Sequence, residues 1–130
     1  MVDGGFDPLH DGHIDYFEAA KGLGSPVLCN VSSDEYVATK HPPLLPDERR
    51  VRVIDAIRYV DYVHLSHTST AEVLEKLAPR AYVKGADWEG RLPPEEVRLC
   101  EALGVEIVFL DTVRDSSTRL LDAYAARIDT

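Results

Sequence analysis

The chain has 130 residues, of which 45% are hydrophobic and 28% are charged, and its formal net charge is −9. These values are typical of one globular domain spanning residues 1–130, and the acidity argues against a nucleic acid polymer as partner, because such binding needs a basic surface. With no apolar run near the roughly 20 residues of a membrane span and no secretory leader, we expect a cytoplasmic protein that does not bind membranes.

Short apolar runs alternate with longer amphipathic segments along the chain. The runs predict buried strands at residues 27–31, 62–65, 81–83 and 105–110. The segments between them predict helices at about residues 12–21, 46–58, 70–77, 94–103 and 118–127. This alternation predicts an α/β fold of the Rossmann-like type, in which a doubly wound parallel sheet carries helices on both faces in a three-layer α/β/α arrangement.

The first strand of this sheet is predicted to be truncated. Only residues 1–3 precede the Gly4-Gly5 pair, whereas a typical strand has about five or six residues. The neighbouring strands must then compensate. Parallel sheets bind ligands at the carboxyl ends of their strands, so the glycine pair lies where a site is expected.

The strongest functional signal is the segment from Gly4 to His13, GGFDPLHDGH. Its glycines let the backbone approach phosphate closely. His10 and His13 lie three residues apart at a strand-to-helix turn, so both can face one point near a helix N-terminus, where anions are favoured. Two histidine donors aimed at an α-phosphate would stabilise the charge that develops as pyrophosphate leaves. Two histidines alone would more often be surface residues of a capped turn, but the surrounding spacings favour the functional interpretation.

Three further segments follow in order: Lys40 with residues 46–50 (PDERR), residues 84–90 (KGADWEG) and residues 114–119 (RDSSTR). Together with the first segment they resemble the motifs of the cytidylyltransferase-like nucleotidyltransferase superfamily over residues 4–121. The resemblance implies an enzyme that joins the nucleoside monophosphate part of CTP or ATP to a small phosphorylated or phosphonate acceptor. It further implies in-line attack on the α-phosphorus, release of pyrophosphate, Mg²⁺ as cofactor and a homodimer.

The resemblance also assigns roles to the matched residues. The catalytic residues would be His10, His13 and Lys40. The nucleotide-binding residues would be Gly4, Gly5, Phe6, Asp7, Lys84, Gly85, Asp87, Arg114, Ser117 and Thr118. Contacts to the triphosphate or to the substrate phosphate would come from Arg49, Arg50 and Arg119. Ser117 and Thr118 would offer hydroxyls and free N–H groups at a helix N-terminus, which suits phosphate.

Several alternatives stay open. Residues 87–90 and 57–61 resemble glycerol-phosphate cytidylyltransferases, whereas Lys84-Gly85 and residues 92–104 are more similar to the heptose branch, and we favour CTP. The other possibilities are an adenylyltransferase that uses ATP on a sugar phosphate and a non-catalytic nucleotide-sensing module. Dinucleotide-binding and P-loop glycine motifs are absent from the sequence, and a zinc site on His10 and His13 lacks further ligands at a suitable spacing.

Overall fold

The computed structural model describes residues 1–111 and 117–128. The strands are β1 (Val2–Gly4), β2 (Leu28–Ser32), β3 (Tyr62–Ser66), β4 (Ala81–Gly85) and β5 (Glu106–Leu110). The helices are α1 (Asp11–Lys21), α2 (Asp34–Val37), α3 (Asp47–Asp55), α4 (Thr70–Leu77), α5 (Pro94–Leu103) and α6 (Ser117–Ile128), with a 3₁₀ turn at Ala86–Trp88. The strands form one parallel sheet in the order β3-β2-β1-β4-β5. The predicted Rossmann-like α/β fold is therefore confirmed.

Helices cover both faces of this sheet. On one face, Phe17 of α1 and Ile54 of α3 are buried in the same apolar cluster as Cys29 and Val31 of β2. On the other face, Leu74 of α4 and Cys100 of α5 pack with Tyr82 of β4. Within the part of the chain that the structure describes, no helix is long and apolar enough to cross a membrane.

The short strand β1 is the central strand. All three of its residues pair with β2, and Val2 also pairs with Val83 of β4. The Val83 N–H donates to the Met1 carbonyl at 2.8 Å, so pairing with β4 begins one residue before the strand itself. The five-residue neighbouring strands thus hold a central strand of only three residues in the sheet.

Helix α3 differs most from its predicted bounds, since it ends at Asp55 and not at residue 58. The chain is held after the helix by Asp61, whose carboxylate accepts from the Val27 N–H at 2.7 Å and from Lys21 Nζ at 2.6 Å. These are contacts between distant parts of the sequence, and they set where the chain turns into β3. The four-residue helix α2 was not predicted, because a single turn has too few residues to show a helical period.

Candidate active site

A cleft of about 740 Å³ opens at the carboxyl edge of the sheet. This is the edge at which open parallel sheets bind ligands, and the volume falls within the roughly 300–1,000 Å³ of small-ligand sites. The predicted site residues that line it are Gly4, Gly5, Phe6, Asp7, His13, Lys40, Lys84, Gly85, Asp87, Ser117 and Thr118. Parts of all four sequence motifs therefore meet at one cleft.

Four other predicted residues do not line this cleft: His10, Arg49, Arg50 and Arg119. Arg49 and Arg119 are exposed, whereas Arg50 is fully buried. Arg114 lies outside the described residues. A phosphate-binding role for Arg49, Arg114 or Arg119 stays a prediction.

The backbone of the loop after β1 turns the Phe6 ring back against Gly4, the last residue of the strand. Phe6 has a φ of 52°, which is unfavourable for a bulky residue. Its ring lies against Gly4, where an added Cβ would be 3.0 Å from the ring, and it continues into the core next to Phe17. Gly4 therefore leaves room for the Phe6 ring. Local strain of this kind, about 1–3 kcal/mol, is concentrated at functional sites.

Asp7 connects the loop between β1 and α1, called the glycine loop below (residues 5–10), to the loop that precedes α3. Its side chain is 1% exposed, and its two carboxylate oxygens accept from the Leu44 N–H at 2.7 Å and the Leu45 N–H at 3.2 Å. A carboxylate that accepts two backbone N–H groups is firmly held. Asp7 lines the cleft, but these bonds show that it shapes the loops around the site.

Arg50 of α3 also connects the glycine loop to the loop that precedes α3. It is 1% exposed and donates to the carbonyls of Leu45 at 3.0 Å, Gly5 at 2.8 Å and Ser32 at 2.7 Å. The remaining terminal nitrogen pairs with Asp34 at 2.8 Å. All three guanidinium nitrogens are thus engaged inside the protein. The guanidinium therefore holds two loops and the end of β2 together, and a contact between Arg50 and substrate phosphate stays a prediction that this burial does not favour.

His13 is held as a neutral hydrogen-bond donor. The His10 backbone N–H donates to Nδ1 of His13 at 3.2 Å. Burial, and secondarily the neighbouring His10, lowers the pKa of His13 to about 3, so its ring is neutral at pH 7. A neutral imidazole whose Nδ1 accepts a hydrogen bond carries its proton on Nε2. His13 can therefore donate that proton in a hydrogen bond to a ligand in the cleft.

His10 occupies a different position from the one expected. Its ring stacks on His13 with 3.7 Å between the centroids, but only His13 lines the cleft. Nδ1 and Nε2 of His10 are buried, and neither has a hydrogen-bond partner within residues 1–111 and 117–128. The two histidines are adjacent as predicted, but the structure does not place both at one point of the cleft.

Acidification should destabilise the free protein through His13. Its pKa is about 3 when folded and 6.5 when unfolded, so the unfolded chain binds more protons between these values. The stabilising contribution is thus complete above pH 6.5 and is lost as the pH falls towards 3. Between pH 7 and pH 5, we expect the wild type to lose about 1–2 kcal/mol more unfolding free energy than His13→Gln. Urea unfolding at both pH values measures this, and equal losses in the two proteins would contradict the low pKa.

The N-terminus of α6 meets the glycine loop directly. Ser117 Oγ donates to the Pro8 carbonyl at 2.7 Å, and Ser117 and Thr118 both line the cleft. The first N–H groups of a helix have no partner within the helix, and the helix dipole favours anions there. Lys40 reaches the same cleft from an exposed loop, with Nζ 5.3 Å from the Tyr36 ring centroid.

Lys84 is a cleft residue whose charge is already balanced. Its Nζ lies 2.9 Å from Oδ1 of Asp3, and the two side chains are 10% and 9% exposed. Nζ also lies 4.3 Å from the centroid of the Trp88 ring. The sequence interpretation missed Asp3, although its position directly before Gly4 at the end of a strand was a usable signal. It also missed Asn30, whose signal is a polar side chain within an otherwise apolar strand.

The cytidylyltransferase-like family model matches residues 1–120 of this chain. The chain belongs to this family of nucleotidyltransferases. Among similar proteins, a FAD synthase of Halomicrobium mukohataei is 34% identical over 102 residues, which cover 78% of this chain and 71% of the relative. A FAD synthase of Pyrococcus abyssi is 37% identical over 116 residues, covering 85% of this chain and 78% of the relative.

Two further proteins are similar to this cytidylyltransferase-like chain. The bifunctional protein HldE of Syntrophotalea carbinolica is 33% identical over 136 residues, which cover 95% of this chain but only 27% of that larger protein. The crystal structure of the lipopolysaccharide core biosynthesis protein from Thermoplasma volcanium superposes with a TM-score of 0.72 at 24% identity, covering 86% of this chain and 94% of the other. At this level of identity the structural match supports the fold.

Proposed function

We propose that this chain transfers the AMP part of ATP to a small phosphorylated acceptor and releases pyrophosphate. The observation that carries the proposal is the meeting of the glycine loop, His13 and the N-terminus of α6 at one cleft. Each of these features favours phosphate for a separate reason: close backbone approach, a neutral imidazole donor, and the positive end of a helix dipole. Together they would bind a nucleoside triphosphate and stabilise the charge that develops when it reacts at its α-phosphorus.

The proposed reaction is a direct in-line displacement. An oxygen of the acceptor phosphate attacks the α-phosphorus of ATP, the bond from that phosphorus to the bridging oxygen breaks, and pyrophosphate leaves. Negative charge on the α-phosphate oxygens must be stabilised as this happens, and in this proposal His13 Nε2–H donates to one of them. Lys40 would offset charge on the triphosphate or the acceptor. Catalysis of this kind rests on positioning and electrostatics, with no covalent intermediate on the enzyme.

Magnesium enters this proposal with the nucleotide. Within the described ranges, no group of three or more His, Cys, Asp or Glu side chains is arranged to hold a metal ion. Mg²⁺ commonly binds through substrate phosphates and one or two carboxylates while keeping several waters. Asp87 lines the cleft and is exposed, so it is available as such a carboxylate. The ion would neutralise charge on the departing pyrophosphate.

The choice of ATP departs from the preference for CTP that the sequence suggested. FAD contains adenine, so two of the relatives described above are named for a product whose nucleotide part comes from ATP. The segments that favoured CTP, residues 57–61 and 87–90, are short, whereas these similarities extend over 102 and 116 residues. We therefore propose ATP as the donor and keep CTP as the second candidate. The homodimer also stays a prediction.

Pyrophosphate release in the presence of Mg²⁺ tests the reaction. ATP and CTP should each be offered with FMN, glycerol 3-phosphate and a set of sugar 1-phosphates. We expect release that needs both ATP and one acceptor, with CTP at least tenfold slower. Release with CTP alone would reverse the choice of nucleotide. Calorimetric binding of ATP without release in the presence of any acceptor would favour the nucleotide-sensing alternative.

A further inference from the structure

An ion pair connects β1 to β4 at the cleft. Asp3 and Lys84 lie on these neighbouring strands, each directly after a member of the register pair Val2–Val83. Oδ1 of Asp3 lies 2.9 Å from Nζ of Lys84, and both residues line the cleft. Asp3 also directly precedes Gly4, the last residue of β1. The pair therefore holds the Lys84 ammonium beside the strand that leads into the glycine loop.

Stability gives little reason for this pair. The side chains of Lys84 and Asp3 are only 10% and 9% exposed. Withdrawing two charges from water carries a desolvation cost, and apolar replacements of such buried pairs are often neutral or stabilising. The preceding residues of the same strands, Val2 and Val83, are buried and apolar. A carboxylate and an ammonium at the next two positions therefore point to a role in the cleft.

Asp3 is itself held by neighbouring side chains. Its Oδ2 accepts from Thr70 Oγ1, at the start of α4, at 3.2 Å. The Tyr82 hydroxyl lies 3.4 Å from the same oxygen and 2.8 Å from Oε1 of Glu96. A hydroxyl has one proton to donate, and the shorter contact of Tyr82 is the one with Glu96. Asp3 thus keeps Oδ1 for Lys84, while Thr70 fixes the other oxygen.

Lys84 would have other partners if Asp3 carried no charge. Its ammonium stands on a flexible four-carbon stem, and two further carboxylates line the cleft, those of Asp87 and Glu96. Burial raises the pKa of Glu96, and the charge of Lys84 already acts against that rise. With Asp3 charged, Nζ instead lies against Asp3 and 4.3 Å from the centroid of the Trp88 ring. Asp3 therefore selects one of several positions for the ammonium.

Lys84 keeps donors for a ligand while it is paired. An ammonium group has three N–H donors, and Asp3 accepts one of them. The others can donate to a phosphate oxygen, in a charge-assisted hydrogen bond of the stronger kind. A side chain that is already fixed loses little rotamer freedom when the ligand arrives, which favours binding.

We propose that Asp3 is a positioning residue that acts through Lys84, by holding Nζ where it donates to a phosphate oxygen of the bound nucleoside triphosphate. This inference rests on the proposed function, because it takes the ligand of the cleft to be a triphosphate. The sequence motifs contain Lys84 but not Asp3, so the proposal adds a residue to the site.

A double-mutant cycle on nucleotide binding tests this role. Wild type, Asp3→Asn, Lys84→Met and the double variant are titrated calorimetrically with α,β-methylene ATP and Mg²⁺, since this analogue cannot release pyrophosphate. We expect Lys84→Met to bind about tenfold more weakly, the effect of losing one charged hydrogen bond, and Asp3→Asn about fivefold more weakly. In the Lys84→Met background, Asp3→Asn should change the affinity less than about twofold, because the residue through which Asp3 acts is gone.

Two further variants separate positioning from stability. Thr70→Val removes the donor to Oδ2 and keeps the Asp3 charge, so binding should weaken about two- to threefold, again only when Lys84 is present. This variant decides the matter if Asp3→Asn does not fold at the titration temperature. Asp61→Asn is the matched control, because it breaks the ion pair with Lys21 outside the cleft. Its nucleotide affinity should stay within about twofold of wild type.

The positioning role and the transfer reaction fail in distinguishable ways. Unchanged or tighter binding by Asp3→Asn, or equal weakening with and without Lys84, would overturn the positioning role. Failure of the wild type to bind the α,β-methylene analogue of either ATP or CTP would also overturn it. Coupled binding effects without pyrophosphate release from ATP or CTP would count against the reaction and support the role of Asp3. Pyrophosphate release without coupling between Asp3 and Lys84 would support the reaction and overturn that role.

Discussion

Replacing His13 with alanine is expected to lower kcat roughly 100- to 1,000-fold, the usual effect of removing one donor to a developing oxyanion. The structure gives a specific reason. The backbone N–H of His10 fixes the neutral tautomer of His13 by donating to Nδ1, and the low pKa keeps the ring uncharged. In the proposed reaction, Nε2–H would then donate to the α-phosphate without a prior change of tautomer or charge. Initial rates of pyrophosphate release with saturating ATP measure the loss.

The same experiment has a matched control within the chain. His64 is a partly buried histidine of β3 that does not line the cleft, so His64→Ala should keep kcat within about threefold of wild type, as expected for a side chain that makes no transition-state contact. ATP affinity should change little in His13→Ala, because a contact made mainly in the transition state affects kcat more than ground-state binding. A His13→Ala enzyme with near-normal kcat would exclude the proposed role.

Replacing Arg50 with methionine is expected to lower the free energy of unfolding by about 3–5 kcal/mol. Methionine fills much of the arginine volume but leaves the carbonyls of Gly5, Ser32 and Leu45 without their donor. Two of these residues belong to the glycine loop and the loop before α3, so the site should loosen as well. Urea unfolding at pH 7 measures the stability, and pyrophosphate release measures the site.

Arg52→Met is the matched control for this substitution. Arg52 lies two residues further along α3 and is exposed, and exposed substitutions usually change stability by less than about 0.5 kcal/mol. Similar unfolding curves for Arg50→Met and Arg52→Met would show that the buried bonds of Arg50 do not support the fold. A large loss for Arg50→Met alone would establish it as a structural residue.

The sequence allowed the fold to be predicted because its signals are local. Buried parallel strands appear as short apolar runs, and helices as amphipathic segments, so the four apolar runs, the short first strand and the five predicted helices all have counterparts in the structure. Helix α3 ends early because Asp61 makes contacts with Val27 and Lys21, which no local pattern contains.

Part of the candidate site could also be predicted from local signals, because these signals show where strands end and helices begin. Most motif residues lie at strand ends or helix starts, and a parallel sheet brings those positions to one edge. His13, Lys40 and Ser117 could therefore be expected to meet at the cleft. Arg50 belongs to the same motif segment as Arg49, yet its side chain turns into the protein, because carbonyls from two loops and from the end of β2 converge on it.

By itself, the sequence determined the order of strands and helices along the chain, the glycine pair at the end of the first strand, and the family to which the chain belongs. These follow from periodicity and from motifs within short segments. Only the tertiary structure decided that His13 lines the cleft and His10 does not, and that Lys84 forms an ion pair with Asp3. It also decided that Asn30 Oδ1 is buried without a hydrogen-bond donor among the described residues. Such properties arise when strands β1, β2 and β4 come together, because burial, charge pairing and missing hydrogen bonds depend on neighbours that are distant in the chain.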